Sequence, residues 1–89
     1  AVQWARRDFA LRPNASSEAA LAWAEYRNGE IVEALEHVRQ ALTSGLKSAR
    51  LFLRSAEIHR AAGHLGVAEQ HRQLAVQMNP RLSDFHVHR

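Results

Sequence analysis

Between Ile31 and Leu42 the apolar positions fall at Ile31, Leu35, Val38 and Leu42, with Ala34 and Ala41 beside them and Glu30, Glu33, Glu36 and Arg39 on the other side. Steps of four, three and four return to one face of a 3.6-residue turn, so this stretch is predicted to be a helix with a single buried stripe. Residues 65 to 78 follow the same plan, with Leu65, Ala68, Ala75 and Met78 expected inward and Glu69, Gln70, Gln73 and Gln77 outward. Two other segments are apolar over more of their circumference. Ala19 to Ala24 contains only Ala, Leu and Trp, and Leu51 to Leu53 is an unbroken apolar run, so these helices require neighbours on more than one side.

The pattern breaks at Pro13-Asn14, Asn28-Gly29, Ser44-Gly45, Ala62-Gly63 and Asn79-Pro80, and the stretches between are long enough for several helical turns each. Five consecutive helices are predicted. No stretch alternates as a strand does, and the good helix formers Ala, Leu, Glu, Gln and Arg dominate, so the fold class is all-α. Ser16 or Ser17 ahead of Glu18, and Ser48 ahead of Ala49, are the expected N-caps of the second and fourth helices. Gly29, Gly45 and Gly63 are expected to close the helices before them in the left-handed conformation. Such short links fold successive helices back on one another as antiparallel hairpins.

The breaks also carry a period. Setting residues 15–48 above 49–82 aligns Ala22 with Ala56, Gly29 with Gly63, Ala34 with Ala68, Ala41 with Ala75 and Leu46 with Pro80, and brings Leu21 opposite Ser55. Small residues recurring at this offset resemble the tetratricopeptide repeat (TPR) family, whose unit is a helix-turn-helix of about 34 residues with a W-x2-L-G-x2-Y…A-x3-F…P pattern. Here the Trp, Leu, Gly and Tyr of that pattern are Glu18, Leu21, Ala22 and Glu25 in the first unit and Phe52, Ser55, Ala56 and His59 in the second, and the late Phe is Val38 and Arg72. The small-residue skeleton matches better than the large aromatic positions. Phe9 to Pro13 parallels Val76 to Pro80, which makes residues 1–14 the second helix of a preceding partial repeat, followed by repeats at 15–48 and 49–82 and a tail or cap at 83–89.

The resemblance implies hairpins stacked as a right-handed superhelical solenoid, packed through Leu21, Ala22, Gly29, Ala34, Ala41, Ala56, Gly63, Ala68, Ala75 and Pro80. It further implies a concave groove that receives a peptide or a partner's helix. By helical phase the groove side would carry Trp23, Tyr26 and Arg27, beside Ala19, from one repeat and Arg50, Leu53, Arg54, Glu57 and Arg60 from the next. Arg50 and Arg54, one turn apart, would join Arg27 and Arg60 in a cationic strip suited to an acidic or C-terminal-carboxylate peptide. The Lys and Asn that complete a carboxylate clamp in some TPR domains are replaced here by Ala19 and Trp23. The competing use of these residues is structural: the arginines solvated or paired with Glu57 and Glu25, the two aromatics packed between hairpins.

Composition narrows the remaining classes. The chain has 89 residues, enough for one small domain, and no cysteine, which excludes disulfides, thiolate zinc sites and thiol catalysis. Ser44-Gly45-Leu46-Lys47 fits S-x-x-K but lacks its companion elements, and Asn14-Ala15-Ser16 matters only in a secretory pathway. The six histidines show no three- or four-residue pairing on one helix, so they are expected on the surface rather than around a metal; His86 and His88 lie in the tail. A formal charge of +3 is dispersed among interleaved glutamates without a stacking pattern, which argues against nucleic acid. No cofactor, metal or catalytic residue is expected.

The expectation is therefore a non-enzymatic scaffold module for protein binding, a piece of a longer polypeptide, with neither signal peptide nor transmembrane segment in this stretch and its localisation unknown. The alternative is self-assembly or spacing. In that case Val2, Ala5 and Phe9 on an uncapped first helix would meet a second copy as a homodimer; a different use of the exposed ends is that Leu82, Phe85 and Val87 instead start a capping segment over the last hairpin.

Overall fold

A computed structural model describes residues 2–45 and 47–80. These form five helices: α1 (Val2–Leu11), α2 (Ala15–Arg27), α3 (Ile31–Thr43), α4 (Ala49–Ala61) and α5 (Leu65–Met78). Among the described residues there is no strand, and the fold is all-α. Two compact units divide the chain, Ala1–Leu46 with α1, α2 and α3, and Lys47–Arg89 with α4 and α5.

In the first unit α2 packs against both α1 and α3. Its cap is Asn14 rather than Ser16 or Ser17. Asn14 is extended (φ −132°, ψ 171°) and its Oδ1 accepts the Ser17 N–H at 2.8 Å. Pro13 before it cannot continue α1, so the helix begins earlier than the serines suggest and draws both into its first turn. The Ser17 hydroxyl donates instead to Asp8 of α1 at 3.2 Å. Leu21, Ala22, Ala34, Val38 and Ala41 form the buried core, where alanines without bulk let the backbones of α2 and α3 approach.

The inward face of α1 also differs from expectation. Ala5 is buried and Val2 and Phe9 are partly buried, because this side of the helix rests on α2 and the Phe9 ring meets His37 edge-on. The exposed apolar residues of α1 are Trp4 and Leu11, 65% and 75% accessible.

The second unit is the α4–α5 hairpin. Ser48 caps α4 as expected, accepting the Leu51 N–H at 3.0 Å. Leu51, Ser55, Ala56, Ile58, Ala68 and Ala75 are buried. Leu65 and Met78, expected inward, are exposed; His71 takes the inward step between Ala68 and Ala75. Pro80 lies exposed in the turn after α5, whereas Leu46, its counterpart, and the expected tail residues Leu82, Phe85, His86, Val87 and His88 lie outside the described residues.

The two hairpin turns repeat each other bond for bond. Gly29 N–H donates to Tyr26 O at 3.0 Å and Glu30 N–H to Glu25 O at 2.8 Å; Gly63 N–H donates to Arg60 O at 3.0 Å and His64 N–H to His59 O at 2.8 Å. Both glycines hold positive φ, 84° and 86°. Each is thus the left-handed residue of a Schellman closure that satisfies the last carbonyls of the preceding helix. The period seen in the letters is also a period of backbone conformation.

Candidate functional site

Arg50, Leu53, Arg54, Glu57 and Arg60 lie along one side of α4, where the three- and four-residue spacing of a helix brings them together. Leu53 and Arg54 are partly buried, while Arg50, Glu57 and Arg60 are exposed. Burial, and secondarily the charge of Arg50, press the Arg54 guanidinium below its ordinary pKa. It remains a cation, and an anion placed beside the pair would relieve that repulsion.

Beside this strip a cleft of about 310 Å³ opens between α4 and α5, lined by Leu53, Ala56, Glu57 and Arg60 from one helix and Leu65, Ala68, Glu69 and Arg72 from the other. Ala56 and Ala68 are nearly buried small residues, Leu53 and Leu65 supply apolar wall, and four charged side chains form the rim. Arg72 grips Glu69 through two hydrogen bonds, 2.6 and 3.1 Å. That pairing draws the Glu69 carboxyl down and lifts Arg72. The arrangement can hold an apolar side chain on the floor and charged neighbours of either sign at the edge.

Three of the cleft-forming side chains of α5, Leu65, Glu69 and Arg72, escape a reading based on the first helix of each hairpin alone. At the corresponding places one period earlier stand Ala19, Ala22, Trp23, Tyr26, Ile31, Ala34, Leu35 and Val38, none of them charged. The charged rim belongs to the second hairpin alone.

In the first unit Trp23 and Tyr26 are brought together on α2, ring centroids 5.0 Å apart and tilted by 33°, both partly buried. Arg27 is exposed in the last turn of the same helix, where a cation complements the helix dipole. The groove residues expected from sequence thus fall into two local sets, one on α2 and one on α4.

Buried polar groups form a second pattern. Glu25 is buried and its Oε1 lies 2.7 Å from His37 Nδ1. Glu18 is buried as well, with Oε2 lacking a hydrogen-bond partner among the described residues. Desolvation raises its pKa, with Glu36 adding to the rise and His37 opposing it. In the second hairpin His59 and His71 are partly buried and in ring contact. Of the histidines expected on the surface, His37, His59 and His71 are therefore partly buried, whereas His64 is exposed. The signal was available: His37 and His71 share one place in the period, as do Glu25 and His59.

Among the described residues no helix is long and apolar enough to cross a membrane. Comparison of the chain with family models, with curated proteins and with solved structures yields no match.

Proposed function

We propose that the chain is a TPR-type helical repeat module, with its hairpins stacked in that family's superhelical manner, and that it serves as a non-catalytic scaffold binding a peptide or partner helix. The observation that carries this is the α4 surface, where Leu53, Glu57 and Arg60 line an open cleft with apolar floor and charged rim and Arg50 and Arg54 continue the same side of the helix. The repeated Schellman turns and the buried alanines at the family's small positions support the repeat assignment. An acidic segment, or one ending in a free carboxylate, fits the arginines, and an apolar side chain of that segment fits the cleft.

The test is calorimetric titration with helical peptides bearing a leucine flanked by glutamates, with free and amidated C-termini. Arg54→Ala should weaken binding about tenfold or more, the usual loss for a charged hydrogen bond, and Leu53→Glu should abolish it. Equal affinity in wild type and both variants would remove the site from α4. Exposure of Trp4 and Leu11 favours a second reading, self-association through α1; sedimentation of wild type against Trp4→Lys/Leu11→Lys separates the two, since only self-association predicts a mass that rises with concentration.

A further inference from the structure

The second hairpin gathers histidines where the first sets an acid against a base. His71 stands one period after His37, and His59 one period after Glu25. In the first hairpin the Glu25 carboxylate meets the His37 ring at 2.7 Å. In the second, the rings of His59 and His71 meet edge to face with centroids 5.4 Å apart. The turn adds a third ring: His64 Nδ1 lies 3.2 Å from His59 Nδ1. Phe52 packs edge-on against His71 at 5.5 Å, and the fully buried Ser55 places its Oγ 2.7 Å from His71 Nδ1.

A contact between two Nδ1 atoms needs one proton between them, so one ring donates and the other accepts. With both rings charged, two N–H donors face each other and the bond is lost. His59 and His71 are then like charges at ring contact in a partly buried place.

We propose that His59, His64 and His71 form an acid-sensitive latch on the α4–α5 hairpin, which holds the helices together while the rings are neutral and drives them apart when they are charged. This goes beyond the binding function and does not depend on it. Burial foremost, then the charges of His71 and His64, hold His59 below its ordinary pKa, and burial does the same for His71. The other charged groups of the two helices are Arg50, Arg54, Glu57 and Arg60 on α4 and Glu69 and Arg72 on α5. Glu57, Arg60, Glu69 and Arg72 line the cleft, and the charges acting on His59 are those of His71 and His64. The end of α4 favours a cation at His59. A charge on His37, by contrast, faces the Glu25 carboxylate.

Because the folded pKa values of His59 and His71 lie below the unfolded value of about 6.5, the open chain takes up protons first. The latch is therefore fully effective above about pH 6.5 and is lost as pH falls through the lower folded values. Each such group changes the opening equilibrium by at most about tenfold per pH unit.

Amide-exchange protection factors measured by NMR on the full chain at pH 7.5 and 5.5 test this. The protection of α4 and α5 relative to α2 and α3 should fall more than about fivefold on acidification. In His59→Gln or His71→Gln, which keep a neutral hydrogen-bonding group, the ratio should change less than about twofold. A ratio independent of pH in the wild type, or an unaltered fall in both variants, overturns the proposal. If either variant does not fold at pH 7.5, the ring-proton titrations of the wild type decide: midpoints for His59 and His71 at or above about 6.5 overturn it.

Discussion

Replacing Gly29 by Ala, and separately Gly63 by Ala, asks whether the two hairpin turns are one device used twice. Both glycines hold left-handed φ, 84° and 86°, and a Cβ built on either meets no atom within 4 Å. Crowding contributes nothing, so the cost is backbone strain, about 1–2 kcal/mol for an L-residue in this region. Against that, Ala restricts the unfolded chain more than Gly, which returns about 0.4–1 kcal/mol. The net destabilisation is then between about 0 and 1.6 kcal/mol, with about 0.8 kcal/mol expected from the midpoints, at each position. The closing hydrogen bonds have the same lengths in both turns, so the two costs should agree within about 0.5 kcal/mol. Asn, which visits the left-handed region more readily than Ala, should cost less at both. Urea unfolding followed by circular dichroism measures the loss, and amide exchange assigns it to the hairpin concerned. An Ala that is stabilising at either glycine, or costs that differ by more than about 1 kcal/mol, would refute the reasoning.

Three further substitutions probe the first unit. Leu21→Ala removes three carbons from a side chain only 3% exposed and should cost about 2.5–5 kcal/mol in urea unfolding, whereas Val32→Ala, at a position 77% exposed, should stay within about 0.5 kcal/mol. Glu18→Gln should raise the urea midpoint at pH 7 more than at pH 4. A raised carboxyl pKa in the fold means that stability is complete below the unfolded pKa and declines as pH rises through the folded one, so the neutral amide spares a cost present only at the higher pH.

The helices themselves were readable because their apolar stripes and glycine stops are local features. Gly29, Gly63 and Ser48 do what their positions in the sequence imply. The cap of α2 was expected at Ser16 or Ser17 and is Asn14, because polar side chains able to cap stand at all three positions and the extended backbone after Pro13 selects among them. Leu65 and Met78 were expected inside from hydropathy, yet a hairpin of two helices buries only a narrow stripe, and His71 occupies it. Histidine gives a weak signal in a hydropathy pattern because its ring packs as an aromatic while its nitrogens score as polar. Of the candidate site, the α4 side chains could be placed by phase. The cleft could not, since half its lining comes from α5 and its volume depends on where Ala56 and Ala68 let the two backbones meet.

The difference between the two hairpins at the cleft positions bears on what a duplication of either segment would do. Residues 15–48 place the half-buried Trp23, Tyr26 and Leu35 where residues 49–82 place Glu57, Arg60 and Glu69. A tandem duplication of the first segment would add three half-buried apolar side chains, whose remaining area favours a further cover. A duplication of the second would add a surface that water already wets. The two segments therefore differ as units of growth: a copy of the first favours a further cover, and a copy of the second is wetted as it stands.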